Sequence, residues 1–206
     1  MTKFKVFLVF IVVCASGFFA EVSKADLTSS GLRQVKVVLQ GVLYRGGGSG
    51  GMHPLTEAQL QDLCEAGFSG AGYLYSDGML SSRLVSCRTR SGQSNVLSYR
   101  VYGYRTSSER HAALQAIHNV IVGGGGPLFM HCWNGMHAAG EMAAVALMQF
   151  CGWSGSEAGR YWINNISDTQ NMNQYRNVWE KHIANFQPFS DLILSAAQQA
   201  RVCPSR

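Results

Sequence analysis

Pro127-Leu128-Phe129-Met130-His131-Cys132-Trp133-Asn134-Gly135-Met136-His137-Ala138-Ala139-Gly140 runs on, without a proline, into an Ala-, Met-, Val- and Leu-rich stretch that ends at Phe150 and Gly152. Leu128-Phe129-Met130 is short and wholly apolar, the signature of a central strand covered on both faces. Ala138 to Phe150 reads as a buried helix. Strand, tight loop and helix in succession turn backbone N–H groups toward one concavity at a helix N-terminus, where an oxyanion is held by unpaired donors and the helix dipole. The same field favours a thiolate over a thiol, so Cys132 is the candidate nucleophile. The anion-binding candidates are Cys132, Trp133, Asn134, Gly135, Met136, His137 and Ala138. Gly135 lets the backbone turn inward, and Gly140 lets the helix pack closely.

Upstream, Val35 to Tyr44 is largely β-branched or apolar and predicts a strand that closes in a loop at Arg45-Gly46-Gly47-Gly48. Thr56 and Gln59 form a capping box, with Leu55 stapling onto Leu60, for a helix over 56–66 stopped by Gly67. Phe68 to Gln93 carries short apolar patches at Tyr73-Leu74-Tyr75 and Leu84-Val85, read as brief strands and turns. Val96 to Tyr104 alternates and predicts a strand. Thr106 and Glu109 open a second capped helix in which Leu114, Ile117 and Ile121 share a face, ended by Gly123 to Gly126. Ser154 and Glu157 cap another helix, and helix-length stretches broken near Asn165 continue to Val202. The alternation predicts an α/β fold: a central, mostly parallel sheet flanked by helices.

The chain has 206 residues, the size of one domain after removal of a targeting segment. Met-Thr-Lys-Phe-Lys, an apolar run from Val6 to Ala20, and Ser23-Lys24-Ala25 read as a signal peptide over residues 1–25, leaving 26–206 as a single domain. The run is short for a permanent membrane span, and Val13 before Cys14 is a poor lipidation context. Loss of Lys3, Lys5, Lys24 and Glu21 lowers the net charge from +5 to +3. Lys and Arg nowhere form a run of four, so no nucleic-acid stripe is indicated, while an anionic ligand is not repelled. Cys64, Cys87, Cys132, Cys151 and Cys203 remain, an odd number in an exported protein. With Cys132 free, the other four have three possible pairings. Cys64–Cys87 with Cys151–Cys203 is the preferred one, and unpaired buried thiols are the alternative.

His131, Cys132, Gly135 and Gly140 occupy the matching positions of His-Cys-x-x-Gly-x-x-Arg-(Ser/Thr)-Gly. The segment therefore resembles the signature loop of the cysteine-dependent protein-tyrosine and dual-specificity phosphatases, including their bacterial phytase-like branch. Val42-Leu43-Tyr44-Arg45-Gly46-Gly47 resembles that family's opening strand, and Leu63-Cys64-Glu65-Ala66-Gly67-Phe68 its helix-to-strand corner. The likeness spans roughly residues 42–165. It implies a protein-tyrosine-phosphatase-like fold and a phosphocysteine formed at Cys132, with His131 and Gly140 in supporting roles. The departures are as informative. Ala138 stands where the family's arginine grips two phosphate oxygens, Ala139 where a hydroxyl helps the thiolate leave, and no aspartate lies between Tyr102 and Ser108 to act as acid.

Substitutes for the missing groups are His137, as imidazolium or acid against helix cap or solvent-facing residue, and Arg105 or Arg110 as charge donors from the neighbouring loop against solvated surface residues. Glu109 reads first as a capping residue. His53, His111, His118 and His182 show no metal-ligand spacing, so no metal and no cofactor are expected. Three functions are consistent with these residues: an anion-binding, phosphatase-like protein with absent or altered turnover; an active cysteine phosphatase; and a sulfurtransferase or thiol hydrolase. The expected partner is a phosphorylated small molecule or phosphoprotein, in the periplasm or outside the cell.

Overall fold

The computed structural model describes residues 27, 31–48, 54–76, 78, 80–166 and 172–205. Residues 1–25, read as an export segment, lie outside the described residues, as does His53.

Six strands form one mixed sheet: β1 (Arg33–Leu39), β2 (Leu43–Gly47), β3 (Gly70–Tyr73), β4 (Arg83–Arg88), β5 (Ser94–Val101) and β6 (Leu128–Cys132), in the order β1-β2-β6-β3-β5-β4. The four central strands are mutually parallel, and an antiparallel strand closes each edge. Helices α1 (Glu57–Glu65), α2 (Ser107–Gly123), α3 (Ala138–Cys151), α4 (Gly155–Asn164), α5 (Met172–Val178) and α6 (Ala196–Val202) flank it, with a π turn at Trp179–Ile183. The α/β prediction therefore holds, with parallel strands where helices cover both faces.

Local signals account for most boundaries. Thr56, Thr106, Ser154 and Ser195 each close a capping box with the Gln or Glu three residues on. α2 and α3 end at Gly124 (φ +73°) and Gly152 (φ +62°), left-handed positions that glycine adopts without a Cβ penalty. One expectation fails at the first strand. Val35 to Tyr44 is a hairpin rather than one strand: the chain reverses at Gln40-Gly41-Val42, with Gly41 at φ +65°, and Arg45, Gly46 and Gly47 belong to β2, not to a loop.

Period-2 alternation along β6 divides the interior into two layers. Leu128, Met130 and Cys132 join the layer under α2 and α3, whereas Phe129 lies in the layer with Tyr44, Phe68 and Tyr99 under α1. α3 is buried all round, so its two polar residues must be satisfied. The Gln149 amide donates to the carbonyls of Phe189 (3.0 Å) and Leu192 (3.2 Å) and accepts from the Phe189 N–H at 2.7 Å. The Glu141 carboxylate accepts from Arg110 at 3.0 Å and pairs with His182 at 3.1 Å. Burial holds its carboxyl above the usual range, against the pull of His182 and Arg110. Among the described residues, no helix is long and apolar enough to cross a membrane.

Disulfides join Cys64 to Cys87 and Cys151 to Cys203, the preferred pairing, and leave Cys132 as the free, buried thiol among the described residues. The first spans 23 residues and the second 52, tying α6 to the end of α3. Replacing Cys151 and Cys203 together by Ala should cost about 2–4 kcal/mol in urea unfolding, and about 0.7 kcal/mol more than the same change at Cys64 and Cys87, because the longer loop frees more chain entropy. The reverse order would rule out that entropic account.

Candidate active site

Cys132 closes β6 and is 1% exposed, and the loop Trp133–His137 carries the chain to α3. Two glycine contacts decide how this loop lies. A Cβ on Gly47 would stand 2.5 Å from the Trp133 carbonyl oxygen and from backbone atoms of Asn134 and Gly135. One on Gly135 (φ +77°) would stand 2.5 Å from the Gly46 carbonyl carbon. The two backbones are thus in direct contact, bridged as Gly47 to Asn134. Gly47 at the end of β2 thus has its reason: any side chain there would lift the loop off the sheet, whereas at Gly46 it would meet the Phe129 ring and the Arg33 carbonyl.

The outer rim of the loop is held by two buried side chains. Arg45, 1% exposed, donates from Nη1 to the Gly135 carbonyl, and Trp162, 2% exposed, donates from Nε1 to the Met136 carbonyl at 3.0 Å. In a trans peptide the carbonyl and the following N–H point opposite ways. The N–H groups of Met136 and His137 are therefore turned away from Arg45 and Trp162. Arg45 Nε also reaches the Tyr161 hydroxyl at 3.4 Å, while its Nη2 has no hydrogen-bond partner among the described residues. A buried guanidinium left without a counter-charge costs several kcal/mol, so this arrangement requires a reason.

His131 points to the opposite layer. Its Nε2 meets the Tyr99 hydroxyl at 2.8 Å, which in turn accepts the Leu55 N–H at 2.9 Å, and its ring stacks on Tyr73 at 5.1 Å. Complete burial pulls its pKa down to about 3, so the ring is neutral. Tyr99 then donates to Nε2, and Nδ1–H faces the Cys132 carbonyl at 3.4 Å. His131 supports the loop from behind.

The remaining candidates are scattered. Trp133 donates to the Tyr73 hydroxyl at 2.9 Å and lies against Tyr75 at 4.6 Å; with Leu74, Tyr75, Tyr104 and Arg105 it lines a cleft of about 270 Å³. Burial, first of all, pushes the Tyr75 hydroxyl pKa strongly up, keeping it protonated. The Asn134 side chain turns toward the sheet edge and accepts from Arg33 at 3.1 Å. His137 makes no side-chain cap; its ring stacks on Tyr175, and Nε2 shares a hydrogen bond with the Tyr175 hydroxyl at 2.8 Å.

Ala138 and Ala139 are buried in the apolar layer, and the Gly140 Cα faces the Trp162 ring. Of the two candidate charge donors, Arg110 is already matched by Glu141, and Arg105 is exposed beside the Tyr104 ring. Glu109 accepts from the backbone N–H groups of Arg105 and Thr106, both at 2.9 Å, and from Ser76. Those bonds, that of Thr106 foremost, hold its pKa below the usual carboxylate range and leave it no proton to give near neutral pH. Among the described residues, no three His, Cys, Asp or Glu side chains converge on a metal position.

Arg45, Trp162 and Gly47 were not among the candidates read from sequence. Arg45 carried a signal, since a lone arginine inside an apolar strand must find buried partners; Trp162, in a later helix, carried none.

Two measurements check this geometry. Gly47→Ala should destabilise by about 1–3 kcal/mol as overpacking against rigid backbone, whereas Gly123→Ala, where a Cβ meets open space, should not. His131 binds its proton far more weakly folded than unfolded, so its contribution is fully present above pH 6.5 and is lost as pH falls toward 3. Between pH 6 and 4 the stability of wild type should fall more steeply than that of His131→Asn, by about 1.4 kcal/mol per pH unit. Parallel pH profiles would show that the ring is not held neutral.

No family model and no curated protein matches this sequence. Among solved structures, the chain is similar to the core catalytic domain of the PP-IP phosphatase SIW14 from S. cerevisiae, crystallised with citrate, at 12% identity over 74% of this chain and 87% of that one, with a TM-score of 0.46. It is also similar to Tk-PTP in its active form, at 17% identity over 72% of this chain and 97% of that one, with a TM-score of 0.42.

Proposed function

We propose that this chain is an exported, phosphatase-like protein that binds a phosphorylated ligand, small molecule or phosphoprotein, at the Cys132 loop and hydrolyses it slowly or not at all. The observation that carries this reading is the outward tethering of the Gly135 and Met136 carbonyls by Arg45 and Trp162, which commits the next two N–H groups to the other side of the loop at the N-terminus of α3. Amides so fixed stabilise an anion without reorganising.

The chemistry of turnover is less well supplied. Ala138 presents no guanidinium, Ala139 no hydroxyl, and Glu109 no proton. One lost donor to the developing charge costs about 3 kcal/mol and a lost positioned acid on the order of 100-fold or more in rate. Cys132, 1% exposed, is also shielded from a substrate phosphorus. Export is supported by the apolar N-terminal run together with two disulfides.

At a phosphate concentration ten times its Kd, binding should add about 1.4 kcal/mol, a rise in Tm of roughly 3–5 °C, with sulfate acting likewise and chloride not. Hydrolysis of p-nitrophenyl phosphate by wild type should not exceed that of Cys132→Ser. The absence of any thermal response to both oxyanions would remove the proposal. Turnover lost in Cys132→Ser would replace it with an active cysteine phosphatase.

A further inference from the structure

We propose that Arg45 is the positive charge of this anion site: a positioning residue that touches no ligand atom and acts on the anion through the Gly135–Met136 peptide. The inference rests on the anion-binding reading of the loop and names the group that makes it electrostatically possible. Its guanidinium is enclosed by the Gly135 carbonyl, the Tyr161 hydroxyl and the first turn of α3, where a Cβ on Gly140 would lie 3.7 Å from Nη1. It is 1% exposed, no carboxylate pairs with it among the described residues, and Nη2 makes no hydrogen bond. The face of Tyr161, 5.9 Å away, is its remaining electrostatic partner. A cation so placed is incompletely compensated by the described residues, and an anion on the far side of the loop completes it.

The coupling runs through one peptide unit. Donation from Arg45 to the Gly135 carbonyl withdraws electron density from the amide and makes the Met136 N–H a stronger donor, the cooperative effect of hydrogen bonds in series. It also fixes the rotation of that peptide. Buried charge is screened far less than surface charge, so Arg45 outweighs exposed Arg105, while Arg110 is neutralised by Glu141. Arg45 thus stands behind the loop, while position 138, at the start of α3, holds an alanine.

The test compares inorganic phosphate affinity, by calorimetry or thermal shift, across wild type, Arg45→Lys, which keeps the charge, and Arg45→Gln, which keeps an amide donor without it. Arg45→Lys should bind within about threefold of wild type and Arg45→Gln at least tenfold more weakly. Should the Gln variant fail to fold, Arg45→Met, which leaves no orphaned donor, takes its place with the same expectation. A structural role alone would lower stability and leave the affinity of the folded variants equal. A folded neutral variant that binds like wild type, or a Lys variant as weak as the neutral one, overturns the assignment of Arg45 alone. Wild type that binds no phosphate overturns the loop's function, and this inference with it.

Discussion

Backbone contact between the end of β2 and the loop after Cys132 is the constraint on which the site depends. Gly46 and Gly47 meet Trp133, Asn134 and Gly135 with no room for a Cβ on either side, and the preceding residue, Arg45, ties down the next carbonyl along the loop. Three consecutive residues of one strand therefore set both the height and the rotation of the loop. β2 can do this because it pairs in parallel with β6, with Gly46 beside His131, so the two strands reach the loop side by side. The glycines lose helpful side-chain packing, and the loop gains a rigid floor.

Strand alternation then gives each residue of β6 a separate task. Cys132 faces the α3 layer and His131 the opposite one, where complete burial beside Tyr99 and Tyr73 keeps it neutral. A charged imidazolium there would require breaking the Leu55–Tyr99–His131 chain of hydrogen bonds or hydrating a sealed core. His131 is thus unsuited to moving protons, and its value is in fixing where the strand ends and the loop begins. Beyond the loop, α3 is buried on every side, and the contacts of Glu141 and Gln149 anchor the elements around it.

The sequence was most legible where local chemistry acts alone. Capping boxes at Thr56, Thr106 and Ser154, left-handed glycines at 124 and 152, and the apolar run before Cys132 depend on neighbours a few residues away. The hairpin at Gln40-Gly41 was missed because its two strands together form one nearly continuous β-branched run, broken only by polar residues that a single strand also tolerates. Arg45 and Trp162 act across 90 and 26 residues of chain, and no local pattern records such a contact. His137 shows the same limit: its place beside the loop is local, but its contact with Tyr175, 38 residues on, is not written in its neighbours.

Ala138 and Ala139, the first residues of α3, bear on what the site can do. Ala138 and Ala139 are 1% and 0% exposed within the α3 layer, among side chains that close over them. A long guanidinium at 138 would have to leave that packing and turn into the loop, and a branched side chain at 139 would press on the buried side chains around it. Both positions suit small residues. Around them stand the glycine contacts, the tethered carbonyls and the buried guanidinium of β2. On the proposed anion-binding reading, these are the elements that hold the ligand's charge, through amides fixed in place at the N-terminus of α3.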